Sequence, residues 1–190
     1  MLDIIVVKRL FEKIEIFFER IKRMNVFKFF LITWVIHFIW TVVIGMILVF
    51  SGAKFSQHVA PNSEFTNSFL LVPFTAVAEE MLFRWAPLLI LTSILTYGFR
   101  KKRLSKEQFF YVERYCLLVV AVVSSVVFGW VHGSIFNVLL QGVSGIIFFI
   151  VYLRCFFIER DLGVRDRWQV IPLAESSFYH GMANASLIFL

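Results

Sequence analysis

The chain is poor in most of what a soluble catalytic domain is built with. Charged residues fill only 17% of its 190 positions, against about a quarter in ordinary globular proteins. It has two cysteines, Cys116 and Cys155. Both sit inside apolar runs in no metal-binding spacing, which excludes a disulfide framework and a zinc knuckle and leaves them as packing residues. There is no His-Glu-x-x-His zinc motif. With no nucleophile elbow and no aspartate in the apolar runs, a serine hydrolase is set aside. No early run carries a small-residue cleavage pattern, so the first apolar run is expected to stay in the mature protein. Internal repeats and low-complexity tracts are also lacking.

What is present is apolar: 59% of residues are hydrophobic and the mean hydropathy is +0.81. That is too much for a soluble domain and places the chain in a bilayer as a multi-pass protein. A span takes about 20 apolar residues, so this length holds about five helices in one all-α membrane bundle, with no room for a second domain. The formal charge of +6 does not point to nucleic acid. Its basic residues cluster beside the apolar runs, where they set orientation instead.

From Val7 to Ile21, apolar residues at Val7, Leu10, Phe11, Ile14, Phe17, Phe18 and Ile21 form one helical stripe opposite Lys8, Arg9, Lys13, Arg20, Lys22 and Arg23. The pattern predicts an amphipathic helix over 1–26, lying at the membrane surface or packed on the ends of the bundle. The embedded domain, 27–190, is then expected to hold spans at Phe27–Phe50, Phe69–Phe99, Tyr115–Val131, Ile135–Ile158 and Pro172–Leu190. Tilt, a kink at Pro73 or Pro87, or a partly interfacial start would absorb the excess length of the second. Lys and Arg number seven before Phe29, one in Ser51–Ser68, six in Gly98–Arg114, none in Gly133–Ile135 and three in Glu159–Gln169. That alternation predicts a cytoplasmic N-terminus.

Against this background Glu79, Glu80 and Arg84 stand inside the second span. A charge at mid-membrane costs about 2.5–3.5 kcal/mol, so each asks for a reason. Glu80 and Arg84, four apart, share a helical face and are expected to form a structural ion pair, while Glu79 points elsewhere, over Phe83, free for chemistry. Phe128 and His132 repeat the spacing of four, as do His180 and Asn184. A carboxylate and an imidazole facing one water make a general-base pair, and a second histidine with an amide could donate to an oxyanion. Together these parts suffice to hydrolyse an amide. His37, alone in the first span, is expected to be hydrogen-bonded packing. Glu175, Ser176 and Ser177 read as helix-start residues after Pro172.

The three clusters, Glu79-Glu80-Met81-Leu82-Phe83-Arg84, Phe128-Gly129-Trp130-Val131-His132 and His180-Gly181-Met182-Ala183-Asn184, resemble in order and spacing the motifs of the CaaX-processing and bacteriocin-processing (CPBP or Abi) intramembrane endopeptidases. The resemblance covers roughly Pro73 to Asn184, including Gln141–Gly145 and Tyr152. It implies proteolysis in a membrane, bacterial in the expected case, on a membrane-anchored protein or peptide. It also implies that Glu79 and His132 activate water, that His180 and Asn184 hold the oxyanion, and that Glu80 and Arg84 organise the helix. A water-based glutamate mechanism without cofactor is the expectation. Zinc on Glu79, His132 and His180 stays open as the alternative, since three ligands plus water is the usual catalytic arrangement. A proton-relaying transporter or a non-catalytic scaffold is the alternative function. One difficulty is depth. On these span limits Glu79 and His180 fall near mid-bilayer but His132 near the outer edge, so either the third helix starts farther toward the cytoplasm or the chain re-enters around Gly133.

Overall fold

The computed structural model describes residues 4–52, 74–101, 105–132, 135–163 and 168–188, with backbone alone at 4–8, 10–11, 106–107 and 186–188. The rest of the polar loop after Gly52, the expected span start at Phe69–Pro73, the basic residues Lys102, Arg103, Arg165 and Arg167, the turn at Gly133 and the last two residues lie outside that range.

Six helices make up the described chain, and among the described residues there is no strand. They are α1 (Ile4–Arg23), α2 (Val26–Phe50), α3 (Phe74–Arg100), α4 (Lys106–Val131), α5 (Ile135–Asp161) and α6 (Val170–Ile188). Helices α2 to α5 are each long and apolar enough to cross a membrane. The chain is therefore a multi-pass membrane protein. The expected fifth span, α6, is not among those four. The residue just before it is buried in the bundle: Gln169 accepts from Tyr152 Oη at 3.0 Å and donates to Thr92 Oγ1 at 3.1 Å.

Local chemistry sets the boundaries. Asn25 separates α1 from α2 and caps the latter, its Oδ1 accepting from the Phe27 amide at 2.9 Å. Ser105 and Gln108 form a reciprocal capping box that starts α4 at Lys106, nine residues before the expected Tyr115. The depth conflict disappears with that earlier start. The third span is longer toward the basic loop, and its far end, with His132, meets the opening turns of α3, with Glu79.

Just before Pro87, helix α3 widens into a π-turn at Met81–Trp85, where the Ala86 amide bonds to Met81 O. Pro87 has no amide to give Phe83 O, and the freed carbonyl takes a hydrogen bond from Ser124 on α4. Helix α5 is the central one, buried along half its length, with a second π-turn at Val138–Gly142. It approaches α4 closely because glycines line the contact. A Cβ on Gly129 would stand 2.6 Å from Val138 Cα, and one on Gly145 would stand 3.2 Å from both Arg84 Nη2 and Phe128 Cδ1. Helix α1 packs on α5 through Phe18, whose ring meets Phe157 edge-on at 5.2 Å. The α1 stripe residues Val7, Leu10 and Phe11 have no described side chains; Ile21 is buried while Arg9, Lys13 and Arg20 are exposed.

Candidate active site

The three sequence clusters converge. Glu79 from α3 lies between two imidazoles, with Oε1 3.6 Å from His132 Nε2 and Oε2 3.4 Å from His180 Nε2. Both separations exceed a direct hydrogen bond, and each leaves the carboxylate facing a ring nitrogen. The other nitrogen of each ring is occupied. His132 Nδ1 donates to Phe128 O at 2.6 Å, and His180 Nδ1 donates to Glu80 Oε1 at 2.9 Å. A neutral ring whose Nδ1 holds the proton presents its Nε2 lone pair, so these outer bonds fix the tautomer of both histidines toward Glu79. Phe128 edges against His132 at 4.6 Å, and Phe148 stacks on His180 at 4.1 Å, holding the rings in place.

Glu80 has the opposite surroundings. Its side chain and that of Arg84 are fully buried, 3.0 Å apart, and Ser176 on α6 donates to its second oxygen. Arg84 donates to Gly145 O at 3.3 Å, and its guanidinium lies over the Phe128 ring at 4.5 Å. Glu80 is thus the ion-pair carboxylate, as its spacing from Arg84 predicts. The two glutamates do not part company, however: both reach His180, one at each nitrogen.

The remaining sequence candidates separate. Asn184 lies one turn beyond His180, half-buried, and among the described residues its amide makes no hydrogen bond to Glu79, His132 or His180. His37 is buried packing of the expected kind: Ser144 Oγ donates to Leu140 O at 3.0 Å, so His37 Nε2 is the donor to Ser144 Oγ at 2.8 Å. Two residues outside the motifs support the site. Asn137 donates to the backbone carbonyl of His132, and Ser176, read from sequence as a helix-start residue, instead anchors Glu80. Only their polarity inside an apolar run marked them.

Among the described residues no group of three His, Cys, Asp or Glu side chains is arranged to hold a metal ion. His132 and His180 face different oxygens of Glu79.

No protein-family model matches the chain, and neither a curated protein nor a solved structure does. The functional argument therefore rests on these residues and their chemistry.

Proposed function

We propose that the protein is a hydrolase of the membrane, and more narrowly an intramembrane endopeptidase of CPBP type that uses Glu79 as general base. The observation that carries this is the carboxylate of Glu79 lying 3.6 Å and 3.4 Å from two imidazoles whose Nδ1 protons are committed elsewhere. Three acceptors around one small space suit a molecule with protons to give. Water there donates one hydrogen to Glu79 and the other to His132 Nε2, leaving its lone pair for a peptide carbonyl.

Attack moves the water proton to Glu79, forms the new C–O bond and drives the carbonyl π pair onto oxygen. Glu79 then passes that proton to the amide nitrogen as the C–N bond breaks. The developing oxyanion is assigned to the side of His180, with the Asn184 amide, one turn beyond it, as its N–H donor. Helix α6 acts as the fifth membrane-embedded helix. Helix α1 lies at the cytoplasmic surface, with Ile16 and Phe17 exposed beside Arg20.

The test is mass spectrometry of membrane peptides in cells. Glu79→Gln and His132→Ala are each expected to accumulate the same uncleaved peptides as deletion, with turnover of a captured substrate down about 10²–10⁴-fold. A parental peptide pattern in either variant overturns the assignment, and proton-coupled flux in proteoliposomes would put a transporter in its place.

A further inference from the structure

The helices gather their basic residues at one end. Arg154 near the end of α5 donates to Ile21 O at 3.0 Å and Met24 O at 2.9 Å, holding the last turn of α1 there. Lys22 pairs with Asp161 at the same end, and Arg160 with Glu113 at 2.9 Å. Among the described residues, the basic last turns of α1 (Arg20, Lys22, Arg23), α3 (Arg100) and α5 (Arg160) thus lie at the end where α4 begins, with the Phe99 and Phe109 rings 5.1 Å apart between α3 and α4.

The site sits at the other end. His132 caps the far terminus of α4, and Glu79 lies in the second turn of α3. From Arg100 back to Glu79 the helix runs about 31 Å at 1.5 Å per residue. Exposed aromatics mark both boundaries: Tyr97, Tyr111 and Tyr115 near the basic end, and Trp130 beside His132. Tyr111 and Trp130 are separated along α4 by about 28 Å, close to the hydrocarbon thickness of about 30 Å. Exposure within the site falls in one direction. The side chains of Glu79 and His132 are each 27% exposed, that of His180 is 2%, and those of Glu80 and Arg84 are 0%. Among the described residues the exposed side chains of the site therefore lie on the Trp130 side and the sealed ones toward the basic loops.

Basic loops stay in the cytoplasm. We propose that the Glu79–His132 pocket opens at the non-cytoplasmic face of the membrane and takes as substrate a polypeptide segment displayed at that interface. A tail confined to the cytoplasm lies beyond its reach. The substrate class rests on the hydrolytic reading; the sidedness rests only on where charge, aromatics and exposure lie.

Single cysteines test sidedness without any activity. In a background with Cys116 and Cys155 replaced by Ala, Ser51→Cys at the end of α2 and Ser105→Cys before α4 are treated in intact cells with a membrane-impermeant maleimide. Labelling of Ser51→Cys from outside, with Ser105→Cys reacting only after permeabilisation, is expected; the reverse pattern overturns the proposal. A short degenerate peptide library tethered to a single-span anchor on one face or the other then tests the substrate. Loss of the outer library alone, abolished by Glu79→Gln, is expected, and cleavage of the inner library overturns it. Cleavage of neither would sink the hydrolytic reading and the substrate class with it, while the sidedness would still be decided by the labels.

Discussion

Glu79 and Glu80 are adjacent in the chain and touch the same imidazole, yet they occupy opposite environments. Glu80 is sealed in, with Arg84, Ser176 and His180 Nδ1 on its oxygens. Glu79 is partly open, and among the described residues its oxygens face the two imidazoles at 3.6 and 3.4 Å. A carboxylate with partners on both oxygens holds structure; one with lone pairs open at its edge can accept a proton. The pair shows how a single dipeptide in an apolar run serves both purposes.

Perturbing the sealed half should have the largest consequences. Arg84→Ala leaves Glu80 buried with only Ser176 and an imidazole as partners, and a loss of about 3–5 kcal/mol is expected, read as a lower melting temperature or failed accumulation in detergent. Replacing both partners with apolar residues, Glu80→Leu with Arg84→Met, should recover much of that stability; no recovery would mean the pair matters for more than its charges. Ser176→Ala removes one hydrogen bond to the carboxylate and should cost about 1.5–3 kcal/mol by the same thermal assay. Gly129→Val forces a side chain into the α4–α5 contact, costing about 1–3 kcal/mol, and separates His132 from Glu79. A melt and a turnover measured on one preparation would show both losses, and intact turnover would break the link between the glycine contact and the site. The smallest effect concerns metal. Turnover should survive prolonged chelation, and loss restored by zinc would replace the water mechanism with a metal one.

Much of the site was legible because spacing of four on a helix assigns a shared face. The pairing of Glu80 with Arg84 follows from that rule, whereas the joint action of Glu79, His132 and His180 was an expectation carried by the resemblance of the three clusters. Spacing does not give depth. Span limits drawn from hydropathy put Glu79 at mid-bilayer and begin α4 at Tyr115, whereas the capping box at Ser105 and Gln108 carries α4 nine residues farther toward the basic loop. Periodicity also assumes a regular helix, so the π-turn that Pro87 imposes on Met81–Trp85 was invisible. Ser176 and Asn137 escaped for another reason: Ser176 bonds Glu80, 96 residues away, and Asn137 reaches back to the His132 carbonyl on another helix, and a hydroxyl or amide in an apolar run carries no address. The fold class and the four long apolar helices, by contrast, follow from composition alone.

The most direct measurement sets Glu79→Gln beside Glu80→Gln in the same detergent, recording melting temperature and hydrolysis of one captured substrate. Glu79→Gln should melt as the parent does while turnover falls by about 10²-fold or more, and Glu80→Gln should lose the fold along with the activity. Parental turnover in Glu79→Gln, or a collapse of its fold matching that of Glu80→Gln, would contradict the division of labour between the two carboxylates.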